Sequence, residues 1–169
     1  MPNDNRKRLA KYRLEKSGDC IKAAENLLAS DMLVHSVNRS YYAIFHTIRA
    51  VLALEGVDFK KHSAVIAYFQ QHYVKTGLFE NKYSDFARDA FSIRADSDYE
   101  DFFVVSKEDA EEQIVHAKQF LNAAEVYFTQ IVNTHKIPFE ISLPKYYSVE
   151  DVAGENWRDG LDEMEDEWE

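Results

Sequence analysis

Apolar residues recur every three or four positions through most of the chain, the spacing that lines one face of an α-helix. The pattern predicts five helices. The first runs from about Arg6 to Ala29, with Cys20, Ala24, Leu27 and Leu28 at helical spacing. Ser30-Asp31 breaks it and is expected to cap the second, about Met32 to Leu54, which stops at Gly56, a residue suited to a helix C-terminus. The third starts near Ser63, carries Val65, Phe69 and His72 on one side, and ends at Gly77. The fourth covers roughly Glu80 to Ala95, with Tyr83, Phe86, Ala87 and Ala90 on one face. The fifth begins at Ser106, which with Asp109 resembles a capping pair, and Pro138 ends it. Its seam is Ala110, Ile114, Ala117, Leu121, Ala124, Phe128 and Ile131, in alternating steps of four and three. Short links between long amphipathic helices predict an all-α, antiparallel helical bundle over residues 1–138.

Residues 139–169 break the pattern. Pro144, Gly154 and Gly160 interrupt them, and the end, from Asp162, is almost all acid. They are expected to form a tail that is flexible or docked on something else. The tail changes how the net charge of −10 is read. It holds 11 acidic and 2 basic residues, −9, so residues 1–138 hold 19 and 18, −1. The body is nearly neutral and can carry local basic patches, so the acidic total does not exclude a phosphate-bearing partner. The single Cys20 excludes an intramolecular disulfide and an all-cysteine metal site. No apolar run approaches the roughly 20 residues that span a bilayer, and no apolar signal region follows the basic start. A cytoplasmic setting, with no membrane partner, is expected.

Candidate chemistry concentrates on the second helix. Val37, Tyr41, Ile44, Phe45, Ile48 and Leu52 form its apolar seam. Asn38, Arg39, Tyr42, His46 and Arg49 fall in an adjacent arc of about 100°, and Ser40, Ala43, Thr47 and Ala50 make a small-residue face. Such a face permits close helix approach, within the bundle or between two copies. The polar arc is either a set of hydrogen bonds that fixes helix register or an anion-binding surface. Arginine offers a fork for phosphate, histidine exchanges a proton near neutral pH, and tyrosine can stack on a base. A second segment, Arg94-Ala95-Asp96-Ser97-Asp98-Tyr99, closes the fourth helix with an arginine and carboxylates. It reads as a helix-end network or as part of a site. His62, beside Lys60 and Lys61 at the start of the third helix, can serve an anion site.

These segments resemble the HEPN superfamily of nucleotide-binding helical domains. The resemblance covers roughly residues 8–133 and rests on Asn38-Arg39-Ser40-Tyr41-Tyr42-Ala43-Ile44-Phe45-His46, His62-Ser63, Lys75-Thr76-Gly77, and Arg94 with Asp98-Tyr99, in that order. It implies a bundle that commonly forms a homodimer and serves in toxin–antitoxin or defence modules, often beside a small nucleotidyltransferase. Many such proteins are metal-independent ribonucleases. Their motif is an arginine followed, after four to six residues, by a histidine, and two copies meet to form the site. Here Arg94 matches the arginine, but Tyr99 stands where histidine is expected. Arg39 and His46 have the spacing, though on the second helix. Tyrosine, with an ordinary pKa of about 10, is a poor base for the ribose hydroxyl. The expectation is a binding module with an RNA or nucleotide ligand and a degenerate nuclease motif, using Asn38, Arg39, Tyr42, Arg49, His62 and Asp98. The alternative is an active ribonuclease using Arg94 with His46 or Tyr99. No cofactor or metal is implied: Glu112 and His116 are the nearest approach to a di-metal motif, and they occur once.

Overall fold

The computed structural model describes residues 4–134. The acidic segment 139–169 and the helix stop at Pro138 lie outside the described residues. Helix α1 spans Asp4–Ala29, α2 Leu33–Glu55, α3 His62–Phe69, α4 Asn81–Tyr99 and α5 Lys107–Thr134. A π-helical stretch, Gln70–Val74, continues α3. Among the described residues there is no strand, and the architecture is the all-α bundle that the periodicity predicts.

Helix α2 is the axis of the bundle, and α1, α3, α4 and α5 all pack on it. Its seam residues Tyr41, Ile44, Ile48 and Leu52 are at most 1% exposed. Burial on that scale stabilises by about 1.5–3 kcal/mol per large apolar side chain. Opposite the seam, the small-residue face meets α1. Ser17 Oγ donates to the Ala43 carbonyl at 2.8 Å and lies 2.8 Å from Thr47 Oγ1, and Ser36 Oγ donates to the Ala24 carbonyl at 2.8 Å. The close approach that those small residues permit is therefore used within the bundle. On the far side of the core, Phe69, Tyr73, Phe79, Tyr83, Phe120 and Tyr127 form a continuous aromatic cluster between α3, α4 and α5.

Several boundaries differ from the sequence expectation. Ser30-Asp31 breaks α1, but neither side chain caps α2. Ser30 Oγ turns back to the Asn26 carbonyl, Asp31 takes a left-handed φ of 58°, and Met32 stands at the N-cap. Helix α3 ends early and tightens no turn; it widens into the π stretch instead. Helix α4 runs to Tyr99 rather than ending at Ala95, so Arg94 sits inside a helix and pairs along it. Gly56 behaves as expected, with φ 75° and an N–H bonded to the Ala53 carbonyl. Ser106 caps α5 by accepting from the Asp109 N–H at 3.0 Å.

Candidate nucleic-acid interface

Between its seam and its small face, α2 presents the polar arc, and the fold splits that arc into two layers. The inner layer is closed. Tyr41 Oη and His62 Nδ1 share a hydrogen bond of 2.7 Å, and the His62 ring stacks on Phe45 with centroids 3.8 Å apart. Arg94 reaches in from α4, only 2% exposed, with its guanidinium 5.2 Å from the Tyr41 ring and 5.7 Å from the Tyr42 ring. Its Nε lies 3.4 Å from Asp98 one turn on. A buried arginine needs such partners, because its desolvation is otherwise uncompensated.

The outer layer is open. Arg39 lies over the Tyr42 ring at 4.8 Å, and its Nη2 donates to Asn38 Oδ1 at 3.0 Å. The Tyr42 ring centroid is 6.4 Å from that of His46. Arg39, Tyr42 and His46 thus form a stack up one face, at i, i+3 and i+7. Tyr42 orients Arg39, and Asn38 fixes its fork through a neutral oxygen, which leaves the positive charge undiminished.

Helix α1 completes this surface from a residue that the sequence reading did not single out, Lys16. Burial first, then the charges of Lys16, Arg49 and Arg13, push the His46 imidazole down to about 4. His46 is therefore neutral at pH 7 and surrounded by positive charge. Lys16 and Arg39 both act on Cys20, whose thiol burial pushes up and so keeps protonated. Arg49 is committed elsewhere: it forms two hydrogen bonds to Asp58, 3.1 Å from Nε and 2.6 Å from Nη2, while Arg13 donates to the same carboxylate at 2.7 Å. Burial opposes the charged form of Asp58, yet the Arg49 hydrogen bonds and the Arg13 charge outweigh it and hold that carboxyl below its ordinary range.

A sequence profile of the HEPN domain matches residues 10–127, well over half of the chain. The chain belongs to the HEPN family. A UPF0332 protein of Thermotoga maritima is 32% identical over 122 residues, covering 72% of this chain and 92% of that protein. A Methanocaldococcus jannaschii protein named "Putative toxin" is 30% identical over 114 residues, covering 68% of this chain and 78% of its own. A second protein of that organism bearing the same description is 30% identical over 109 residues, covering 64% and 81%.

Of the segments that carry the HEPN resemblance, the fold gathers Tyr41, Tyr42, Phe45, His46, His62, Arg94 and Asp98 around one place. It does not bring Tyr99 there. Five residues beyond Arg94 places Tyr99 about 140° further round α4, and it is 69% exposed. Beyond it the link to α5 exposes Phe102 and Val104 next to Glu100 and Asp101. His62, expected to serve an anion site beside Lys60 and Lys61, is 5% exposed and turned inward to Tyr41. Among the described residues, no group of three or more histidines, cysteines or carboxylates could hold a metal ion, and no helix is long and apolar enough to cross a membrane.

Proposed function

We propose that this HEPN protein binds RNA or a nucleotide through the phosphate, along Lys16, Arg39, Tyr42 and His46, as one component of a toxin–antitoxin or defence module. One observation carries the reading. Arg39 is pre-set by Asn38 and the Tyr42 ring, and among the described residues neither it nor Lys16 forms an ion pair with a carboxylate. A fork fixed before binding loses less entropy when phosphate arrives. Neutral His46 adds an imidazole that can gain a proton as the anion approaches. Arg94, Tyr41 and His62 are the platform beneath, acting by position.

The names of the Methanocaldococcus relatives support the toxin side of the reading. The family resemblance supports a homodimer and a nucleotidyltransferase-type partner. The ribonuclease reading draws on one feature, the neutral His46, a potential proton acceptor beside bound phosphate.

The test is binding of a labelled single-stranded RNA to the purified full chain in chelator. Lys16→Ala and Arg39→Ala should each weaken binding by about tenfold and lower the salt slope by about one. Lys118→Ala, on α5 where the lysine is paired with Glu25 of α1, should leave it unchanged. Equal binding by all four proteins rejects the strip. Cleavage in the same tube, lost in His46→Ala and Arg94→Ala, establishes the nuclease.

A further inference from the structure

We propose that the acidic segment 139–169 of this same chain docks on the Lys16–Arg39–His46 strip and competes there with RNA. The competition rests on the RNA reading above; the docking does not.

Charge favours this contact. The segment carries 11 acidic and 2 basic residues. On the body, Arg13 and Arg49 share one carboxylate, Asp58, which leaves one positive charge in excess. Lys16 and Arg39 add two more, and Asp19 at the edge removes one. The strip is therefore net positive by two on a body that is −1 overall.

Two other surfaces fit the segment less well. The groove of about 540 Å³ between α1 and α5 sets Lys11 and Lys22 against Glu15, Asp19 and Glu125, so it is net negative. The end of α4 and the link to α5, with Asp96, Glu100 and Asp101 beside an Asp98 already paired with Arg94, repel acid. Among these surfaces the strip is the one that attracts the segment.

The tether makes the contact accessible. Beyond Thr134 the chain has 35 residues, which extend to roughly 115 Å at most, whereas 28-residue α5 is only about 42 Å long. A segment so tethered meets the strip at an effective concentration of the order of 1 mM, so weak individual contacts suffice. The segment also brings Tyr146, Tyr147, Trp157 and Trp168, whose rings can pack beside guanidinium and imidazole groups.

The chain supplies its own probe. Its two tryptophans, Trp157 and Trp168, both lie in the segment, so tryptophan emission reports on it alone. The experiment is acrylamide quenching of that emission in the full chain at low salt, in the wild type and in a Lys16→Glu/Arg39→Glu variant whose circular dichroism matches. The wild type should be quenched about threefold less, and about 0.5 M salt should erase the difference. Equal quenching in both proteins overturns the proposal. Protection that rises with protein concentration overturns it too, by placing the segment on another copy.

The competition is read separately, in a full chain whose segment carboxylates are changed to amides. RNA binding should tighten about tenfold. Unchanged RNA affinity in that chain overturns the competition. If the charge reversal abolishes RNA binding but leaves tryptophan quenching untouched, the RNA reading stands and the docking fails. If tryptophan protection depends on Lys16 and Arg39 while no RNA binds to either chain, the docking stands and the RNA reading fails.

Discussion

Tyr41 Oη and His62 Nδ1, 2.7 Å apart and both at most 5% exposed, tie the middle of α2 to the first turn of α3 inside the core. A hydrogen bond so placed matters more by its loss than by its presence, because truncation leaves a buried nitrogen unsatisfied. Tyr41→Phe should destabilise by about 1–3 kcal/mol. In a His62→Phe background the same change should cost about 1 kcal/mol less. Urea unfolding of the four proteins measures this, and an equal cost in both backgrounds would mean that the two groups are not coupled.

Asp58 joins the guanidiniums of Arg13 and Arg49, from two different helices. Asp58→Asn should cost about 2 kcal/mol, below the 3–5 kcal/mol of a fully buried pair because the carboxylate is half exposed to solvent screening. The pH sign follows from its depressed pKa. This stabilisation is complete above the ordinary aspartate value and is lost as pH falls through the lower folded value. Acid unfolding should therefore begin at a higher pH in Arg13→Met, which removes half of the clamp.

Glu55 works in the opposite sense. It is 8% exposed at the end of α2 and accepts from Tyr68 Oη at 3.4 Å. Burial raises its pKa, and the neighbouring hydroxyls of Tyr73 and Tyr68 offset only part of that. A raised carboxyl makes stability fall as pH climbs from the ordinary glutamate value to the folded one, since the unfolded chain ionises first. Glu55→Gln keeps an acceptor for Tyr68 and removes the buried charge. Its melting temperature at pH 7 should rise by about 3 °C, with no gain at pH 4. A gain that persists unchanged at pH 4 would show that ionisation is not the cause.

On the RNA-binding reading proposed above, His46 should link proton uptake to ligand binding. Burial and neighbouring positive charge hold its pKa at about 4 in the free protein, and the charge of a bound phosphate would raise it. RNA affinity should increase as pH falls from 8 towards 5, by up to tenfold per unit once the bound-state pKa is passed. His46→Gln should flatten that profile while leaving the affinity at pH 8 within about twofold. A profile identical in both proteins would assign the pH dependence to another group.

The all-α fold was legible because periodicity reports which faces are apolar, and long amphipathic helices with short links have few ways to bury them. The stripe on α2 was legible for the same reason. Less legible was which helix stands beside it. Nothing in the spacing of Lys16 distinguishes it from Lys11 or Lys22, and only the packing of Ser17 on Ala43 turns it towards His46. The depth of Arg94 was also hidden. Its segment reads as a helix end, whereas α4 continues to Tyr99 and lets Asp98 pair along the helix while the guanidinium enters the core. The lysine neighbours of His62 suggest an anion site, but helix phase at a first turn can send adjacent residues to opposite sides, and His62 points inward.

The serine and alanine contact between α1 and α2 has a consequence at the surface. Ser17 and Ala43 let the two backbones come close, and Lys16 sits next to Ser17 on the outer side of the same turn. The gauge of the cationic strip is thus set by atoms that no ligand ever touches. One added methylene at Ala43 would push α1 outward and carry Lys16 away from Arg39 and His46 without altering any exposed residue. The spacing of positive charges on this face can therefore be retuned from the inside of the bundle.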